Sequence, residues 1–109
     1  MSSTARGGPI EIIAAVEPFM PSYRPSVMAA KLLSLRVGAP LRIVSSDWLA
    51  SKGFDPYMPS FFAALDDGGI VLMRSEENLN HRELARLLEG DLRRLIGQRS
   101  KTTAATATP

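Results

Sequence analysis

Apolar positions along this chain follow two rhythms, and their alternation sets out the fold. Ile10 to Val16 is a short, mostly apolar run rich in Ile and Val, bounded by Gly7-Gly8-Pro9 and by Glu17-Pro18. It predicts a strand buried on both faces, and a doubly buried strand requires covering helices. Over Arg24–Val37 the spacing changes: Val27, Ala30 and Leu33, or Met28, Leu32 and Leu35, recur at helical intervals. Pro25 is tolerable in the first turn of that helix and Gly38 is a stop signal. Leu41–Val44 follows Ala39-Pro40 as a second short strand, so the first third of the chain predicts a right-handed βαβ unit with a parallel strand pair.

The second half reads differently. Ser46-Asp47 can cap a short helix through Trp48, Leu49 and Lys52, ending at Gly53. Asp55-Pro56-Tyr57-Met58-Pro59 must be extended, because each proline drives its predecessor out of the helical region. Ser60–Leu65 and Ile70–Arg74 flank Asp66-Asp67-Gly68-Gly69, which predicts an antiparallel hairpin. Asn80, with Glu83 three residues on, opens a last helix whose apolar stripe of Leu84, Leu87, Leu88, Leu95 and Ile96 runs to Gly97. The expected fold is α/β, a four-stranded mixed sheet in the order β-α-β-α-β-β-α flanked by helices. Residues 1–9 are small and polar and predict a flexible N-terminus; residues 10–97 form the domain. Residues 98–109 are low in complexity and predict a disordered tail.

Composition narrows the chemistry. With 109 residues, 45% hydrophobic and 22% charged, the chain suits one globular domain. It contains no cysteine, which removes disulfides, thiolate metal ligands, thiol nucleophiles and dithiol redox chemistry together. A single histidine, His81, lies in a polar first helical turn with no second histidine, so neither a metal site nor a general base is expected there. Thirteen basic residues face eleven acidic ones, too even a balance for a nucleic-acid stripe, despite a pI near 9.4. No apolar run is long enough to span a bilayer, and the N-terminus has no hydrophobic signal region, so a cytoplasmic protein is expected. Asp66-Asp67 before two glycines is what a hairpin turn asks for, and Arg86, Arg93, Arg94 and Arg99 alternate with Glu83, Glu89 and Asp91 as on a solvated helix face.

The element order, with Met58-Pro59 directly ahead of the third strand, resembles the thioredoxin superfamily. That resemblance implies a cis peptide at Met58-Pro59. It extends to the loop after the first strand: Phe19-Met20-Pro21-Ser22-Tyr23-Arg24 stands where thioredoxins carry Trp-Cys-Gly-Pro-Cys and a base. Met20 and Tyr23 then occupy the cysteine positions, and neither can perform thiol-disulfide exchange. Pro21-Ser22-Tyr23-Arg24-Pro25-Ser26-Val27 is also similar to the first-helix loop of the glutathione transferase N-terminal domain, and Gly69 to Ser75 to its hairpin. By that second resemblance Ser22 or Tyr23 would approach the glutathione sulfur, Met58 would offer backbone bonds, and Ser75 would hold the γ-glutamyl carboxylate. Arg74 stands where that family has an acid, and no helical second domain is present in the sequence.

Two functional expectations follow. The first is a non-catalytic thioredoxin-like interaction module, an adaptor, accessory subunit or maturation chaperone, that binds a protein partner through Phe19, Met20, Tyr23, Tyr57, Met58 and Pro59. The second is a glutathione-binding or transferase-like domain using Ser22, Tyr23, Met58 and Ser75. No cofactor is expected in the first case, and self-association stays open in both. Met20 and Tyr23 either mark a repurposed contact site or fill vacated positions at the helix start. Trp48, Phe54, Tyr57, Phe61 and Phe62 read either as core and sheet-facing side chains or, for Trp48 and Tyr57 with Met58, as part of an exposed patch.

Overall fold

The computed structural model describes residues 9–107, with side chains described through residue 98. The N-terminal segment expected to be flexible thus lies outside the described residues, apart from Pro9, as do residues 108–109. Strand β1 (Pro9–Ala15) leads into helix α1 (Tyr23–Val37), then β2 (Leu41–Val44), α2 (Ser46–Ser51), β3 (Ser60–Leu65), β4 (Ile70–Ser75) and α3 (His81–Ala107). The sheet is four-stranded in the order β2-β1-β3-β4. β1 runs parallel to β2 and antiparallel to β3, and β3 runs antiparallel to β4.

Strand alternation divides the core into two layers. Ile12 and Ala14 of β1 and Phe61, Ala63 and Leu65 of β3 face one way, toward Ala29, Ala30 and Leu33 of α1 and Leu84, Ala85, Leu88 and Leu92 of α3. Ile13, Ala15 and Phe62 face the other way, toward Leu49 and Trp48 of α2. Trp48 and Phe54 each pack against Phe62 in a T-shaped arrangement, with ring centroids 5.0 and 5.2 Å away. Because α2 is only six residues long, it covers the middle of that second face and leaves Ile70 and Leu72 of β4 exposed.

Two of the four helix-end signals in the sequence act as local chemistry directs. Gly38 closes α1 in the left-handed region (φ 71°), its N–H donating to the Ser34 carbonyl at 2.9 Å. Asn80 Oδ1 accepts the Glu83 N–H at 3.1 Å, which caps α3, while the Asn80 N–H turns to Asn78 Oδ1. The start of α2 is different: Ser45, not Ser46, occupies the cap position, and it makes no side-chain cap bond. Gly97 keeps helical backbone, so the stop signal there is not used and α3 continues to Ala107. In the hairpin, Gly68 takes φ 89° and Asp67 Oδ1 accepts the Gly69 N–H at 2.8 Å.

The expected cis peptide at Met58-Pro59 is absent, since no peptide bond among the described residues is cis. The X-Pro bond intrinsically favours trans by roughly 0.5–1 kcal/mol. In trans the chain feeds β3 directly: the Ser60 hydroxyl donates to the Met58 carbonyl at 3.1 Å and the Glu76 N–H to the Pro59 carbonyl at 3.1 Å.

One irregularity in β4 ties the sheet to α3. Phe61 pairs with Arg74 and Phe62 with Leu72, so Met73 is an inserted bulge residue. The bulge sends both Met73 and Arg74 to the α3 side, where Met73 joins the core. Arg74 clasps Asp91 of α3 through two hydrogen bonds, Nε at 2.6 Å and Nη2 at 3.1 Å, and also reaches Glu76 at 2.7 Å. Arg94 donates to Asp91 as well. Asp91 is buried, which by itself pushes its carboxyl pKa up, but the hydrogen bonds and charges of Arg74 and Arg94 outweigh this and hold it below the usual range. Arg74 is correspondingly locked in its charged form by Asp91 first and Glu76 second.

Removing the carboxylate strands Arg74 at the core edge, so Asp91→Ala is expected to cost about 3 kcal/mol in urea unfolding, the low end for a broken buried pair because Glu76 remains. A depressed carboxyl contributes stability above its unfolded-state value near ~3.9 and loses it as pH falls through the lower folded value. Wild type should therefore lose stability below about pH 4 more steeply than Asp91→Asn; equal slopes would assign the acid sensitivity elsewhere.

Candidate functional site

Strand register gathers the candidate residues at one end of the sheet. Val44, Ala15, Ser60 and Ser75 lie side by side across the four strands. The connections beyond that row, residues 16–22, 45, 52–59 and 76–80, therefore share this end. It is the carboxyl end of the parallel pair, where open α/β sheets place ligands, and the chain leaves β1 toward β2 on one side and later enters β3 on the other.

Serines form the floor. The Ser60 and Ser75 hydroxyls lie 2.5 Å apart, and Ser60 also donates to the Met58 carbonyl. Ser22 is fully buried at the cap position of α1, yet its side chain does not cap the helix. Its hydroxyl donates instead to Glu77 Oε2 at 3.2 Å, which brings a carboxylate from the β4–α3 connection to the start of α1, the end favoured by the helix dipole. One turn on, Ser26 is buried with no hydrogen-bond partner for its hydroxyl. Its backbone N–H donates to the Ser22 carbonyl at 2.9 Å.

A second carboxylate organises the neighbouring loop. Glu17 Oε2 accepts both the Ser46 hydroxyl and the Ser46 N–H at 2.6 Å. It thus supplies from the β1–α1 connection the cap that Ser45 does not give α2. These two bonds, the hydroxyl first and then the amide, hold the Glu17 carboxyl below its usual range. Nothing in the local spacing around Ser46 points to Glu17, which is 29 residues away.

The apolar candidates separate by exposure. Phe19 and Tyr57 are 72% and 81% exposed, and Met58 is 37% exposed. Met20 is buried at 6% and Tyr23 half-buried, so of the two side chains at the vacated cysteine positions neither stands free in solvent. Pro59 is fully buried. Trp48 is half-buried against Phe62, with the Lys52 ammonium 5.6 Å from its ring centre, and belongs to the second core layer rather than to a patch with Tyr57.

For the glutathione-binding set, Ser22, Tyr23, Met58 and Ser75 do lie on this end of the sheet. Their surroundings are acidic: Glu77 holds the Ser22 hydroxyl, and Glu76 follows Ser75 directly. Arg74 is engaged by Asp91 and Glu76. The arrangement contains hydroxyls and carboxylates but no imidazole bonded to either, so no serine here has an activating base of the usual kind. Among the described residues no group of three or more His, Asp or Glu is placed to hold a metal ion. No helix among them is long and apolar enough to cross a membrane.

Trp48 is the only tryptophan, so its fluorescence reports on α2. Glu17→Ala should leave α2 uncapped, raise hydrogen exchange at Trp48 to Phe54 and shift Trp48 emission, while the α1 and α3 amides stay protected. Acid should act in the same direction, because a lowered carboxyl pKa means the tie holds above the usual carboxylate range and is released as pH falls below it. Unchanged exchange in α2 would show that Ser46 is held by other means. No protein-family model matches the chain, and neither the curated proteins nor the solved structures contain a match.

Proposed function

We propose that this chain is a cysteine-free, thioredoxin-like interaction module that holds a protein partner at the loop end of its sheet and performs no thiol redox chemistry. The element order β-α-β-α-β-β-α and a mixed sheet with one parallel and one hairpin half support the thioredoxin-like reading. The absence of any cysteine limits the chemistry of that end. The observation that carries the proposal is the exposure of Phe19 and of Tyr57, with Met58 beside Tyr57 in sequence, on two connections that the register brings to the same end.

Large apolar side chains in solvent are common singly, but exposed aromatics that share one end of a fold are the usual anchors of an interface. At the same end, Ser22, Ser60 and Ser75 are already hydrogen-bonded within the chain, so this end offers a partner shape and apolar area more than reactive groups. Tyr57 is held by its own turn: its N–H donates to Asp55 Oδ1 at 2.9 Å, which limits the entropy lost when the loop is covered. An adaptor, an accessory subunit or a maturation chaperone would each use such a surface.

The test compares affinity capture by the wild-type protein with capture by Met58→Asp and Tyr57→Asp, each checked for an unchanged cooperative melt. A stoichiometric protein partner lost in both variants is the expected result, with at least a tenfold fall in affinity on remeasurement with the purified partner. Capture unaffected by either charge would reject this surface, and a thermal upshift with millimolar glutathione would move the assignment to a ligand-binding domain.

A further inference from the structure

A groove of about 280 Å³ lies on the outer side of α1 where it meets the start of α3. Its lining is Met28, Lys31, Leu32, Leu35, His81 and Arg82. Met28, Leu32 and Leu35 stand at positions i, i+4 and i+7, so they form one stripe about 10 Å long, two turns of helix. Leu32 leans on the main core, but Met28 is 42% exposed and Leu35 79%. The fold uses only Leu32 of this stripe, because the face of α1 turned to the sheet is Ala29, Ala30 and Leu33.

The unpaired charge lining the stripe is basic. α1 carries Arg24, Lys31 and Arg36 and no acid. Arg36 is engaged by Glu89, while Lys31 and Arg82 have no ion-pair partner among the described residues. The volume sits just under the roughly 300–1,000 Å³ of small-molecule sites, and the shape is linear rather than enclosed, which suits side-chain anchors better than a cofactor. We propose that this groove docks an acidic amphipathic helix of a partner protein, whose apolar residues lie along Met28, Leu32 and Leu35 and whose carboxylates meet Lys31 and Arg82.

Other occupants fit the surface less well. Residues 1–8 contain Arg6 and no acid, with Met1 and Ala5 as their apolar side chains, so they supply neither anchors nor complementary charge. Two copies meeting groove to groove would set Lys31 and Arg82 against their own kind. None of the residues lining the groove belongs to the connections that carry Phe19, Tyr57 and Met58, so its success or failure does not depend on theirs.

The probe is a fluorescein-labelled synthetic 18-residue helix with leucines along one face and glutamates on the other, titrated against the full chain by anisotropy. Its controls are a scramble that breaks the leucine face and a version with lysine for every glutamate. The acidic helix should bind at least tenfold more tightly than either control, and Leu35→Asp, at a position far enough in solvent to leave the core intact, should weaken it at least tenfold. The double variant Lys31→Glu/Arg82→Glu should reverse the preference toward the lysine helix. Amide shifts in the wild-type protein should concentrate at Met28–Leu35 and His81–Arg82, which keeps the test valid even if a variant unfolds. Equal binding of the acidic and lysine helices, or shifts confined elsewhere, would overturn the proposal. Failure of the acidic helix combined with Leu35-dependent retention on phosphatidylglycerol vesicles would overturn it too, and assign the face to an anionic lipid surface.

Discussion

Water reaches neither face of β1 along Ile12 to Ala15, and the rest of the architecture answers to that condition. A strand buried on both sides must lie inside a sheet and between two layers, so it takes β2 and β3 as neighbours and α1 with α3 above and α2 below. The two layers are unequal. Two long helices complete the first, where Phe61 packs with Leu33 of α1 and the leucines of α3, whereas the six residues of α2 close only the centre of the second. Four of the five connections between helix and strand lie at one end of the sheet, which is why that end gathers serines, carboxylates and exposed aromatics that are far apart in sequence.

Electrostatics then fixes what hydrophobic packing leaves loose. Exposed ion pairs such as Arg93 with Glu89 contribute about 0–1 kcal/mol each, too little to orient an element. The clasp of Arg74 on Asp91 is of another kind: the acceptor is buried, the donor fork is bidentate, and the two belong to the last strand and the last helix. It depends on the bulge at Met73, without which strand alternation would turn Arg74 to the opposite face. With α3 anchored in this way, the short β4–α3 connection brings Glu77 within reach of Ser22, so a backbone irregularity in an edge strand shapes the start of a distant helix.

Features governed by neighbours in sequence were legible in the sequence. β2 and β3 begin and end where prolines, glycines and apolar runs place them, Gly38 stops α1, and Asn80 starts α3. The features it concealed are contacts between segments. No periodicity tells that Glu17 caps α2, that Ser22 turns away from its own helix to Glu77, or that Met73 is an extra residue in its strand. The exposed members of the candidate surface, Phe19, Tyr57 and Met58, were readable because prolines flank them and keep their segments out of helix and sheet interior. Met20 was not, since a single apolar residue in a loop carries no signal of which way it faces, and here it turns inward. The length of α3 was not legible at Gly97 either, because a glycine there can keep helical backbone, as it does here.

Open sheets carry a hazard at their margins, where unpaired backbone groups can recruit strands from other molecules. This sheet has two margins, β2 and β4, and each is blunted by a different device. β2 is four residues long and displays Arg42, paired across to Glu11, so it offers little continuous ladder and a charge at its middle. β4 is longer and shows Ile70 and Leu72 to solvent, which makes it the more dangerous of the two. There the bulge at Met73 interrupts the regular run of donors and acceptors and increases the local twist, so a flat incoming strand meets only short stretches of matching register. The irregularity that aims Arg74 at Asp91 thereby also serves as a guard against stacking of this protein into cross-β assemblies.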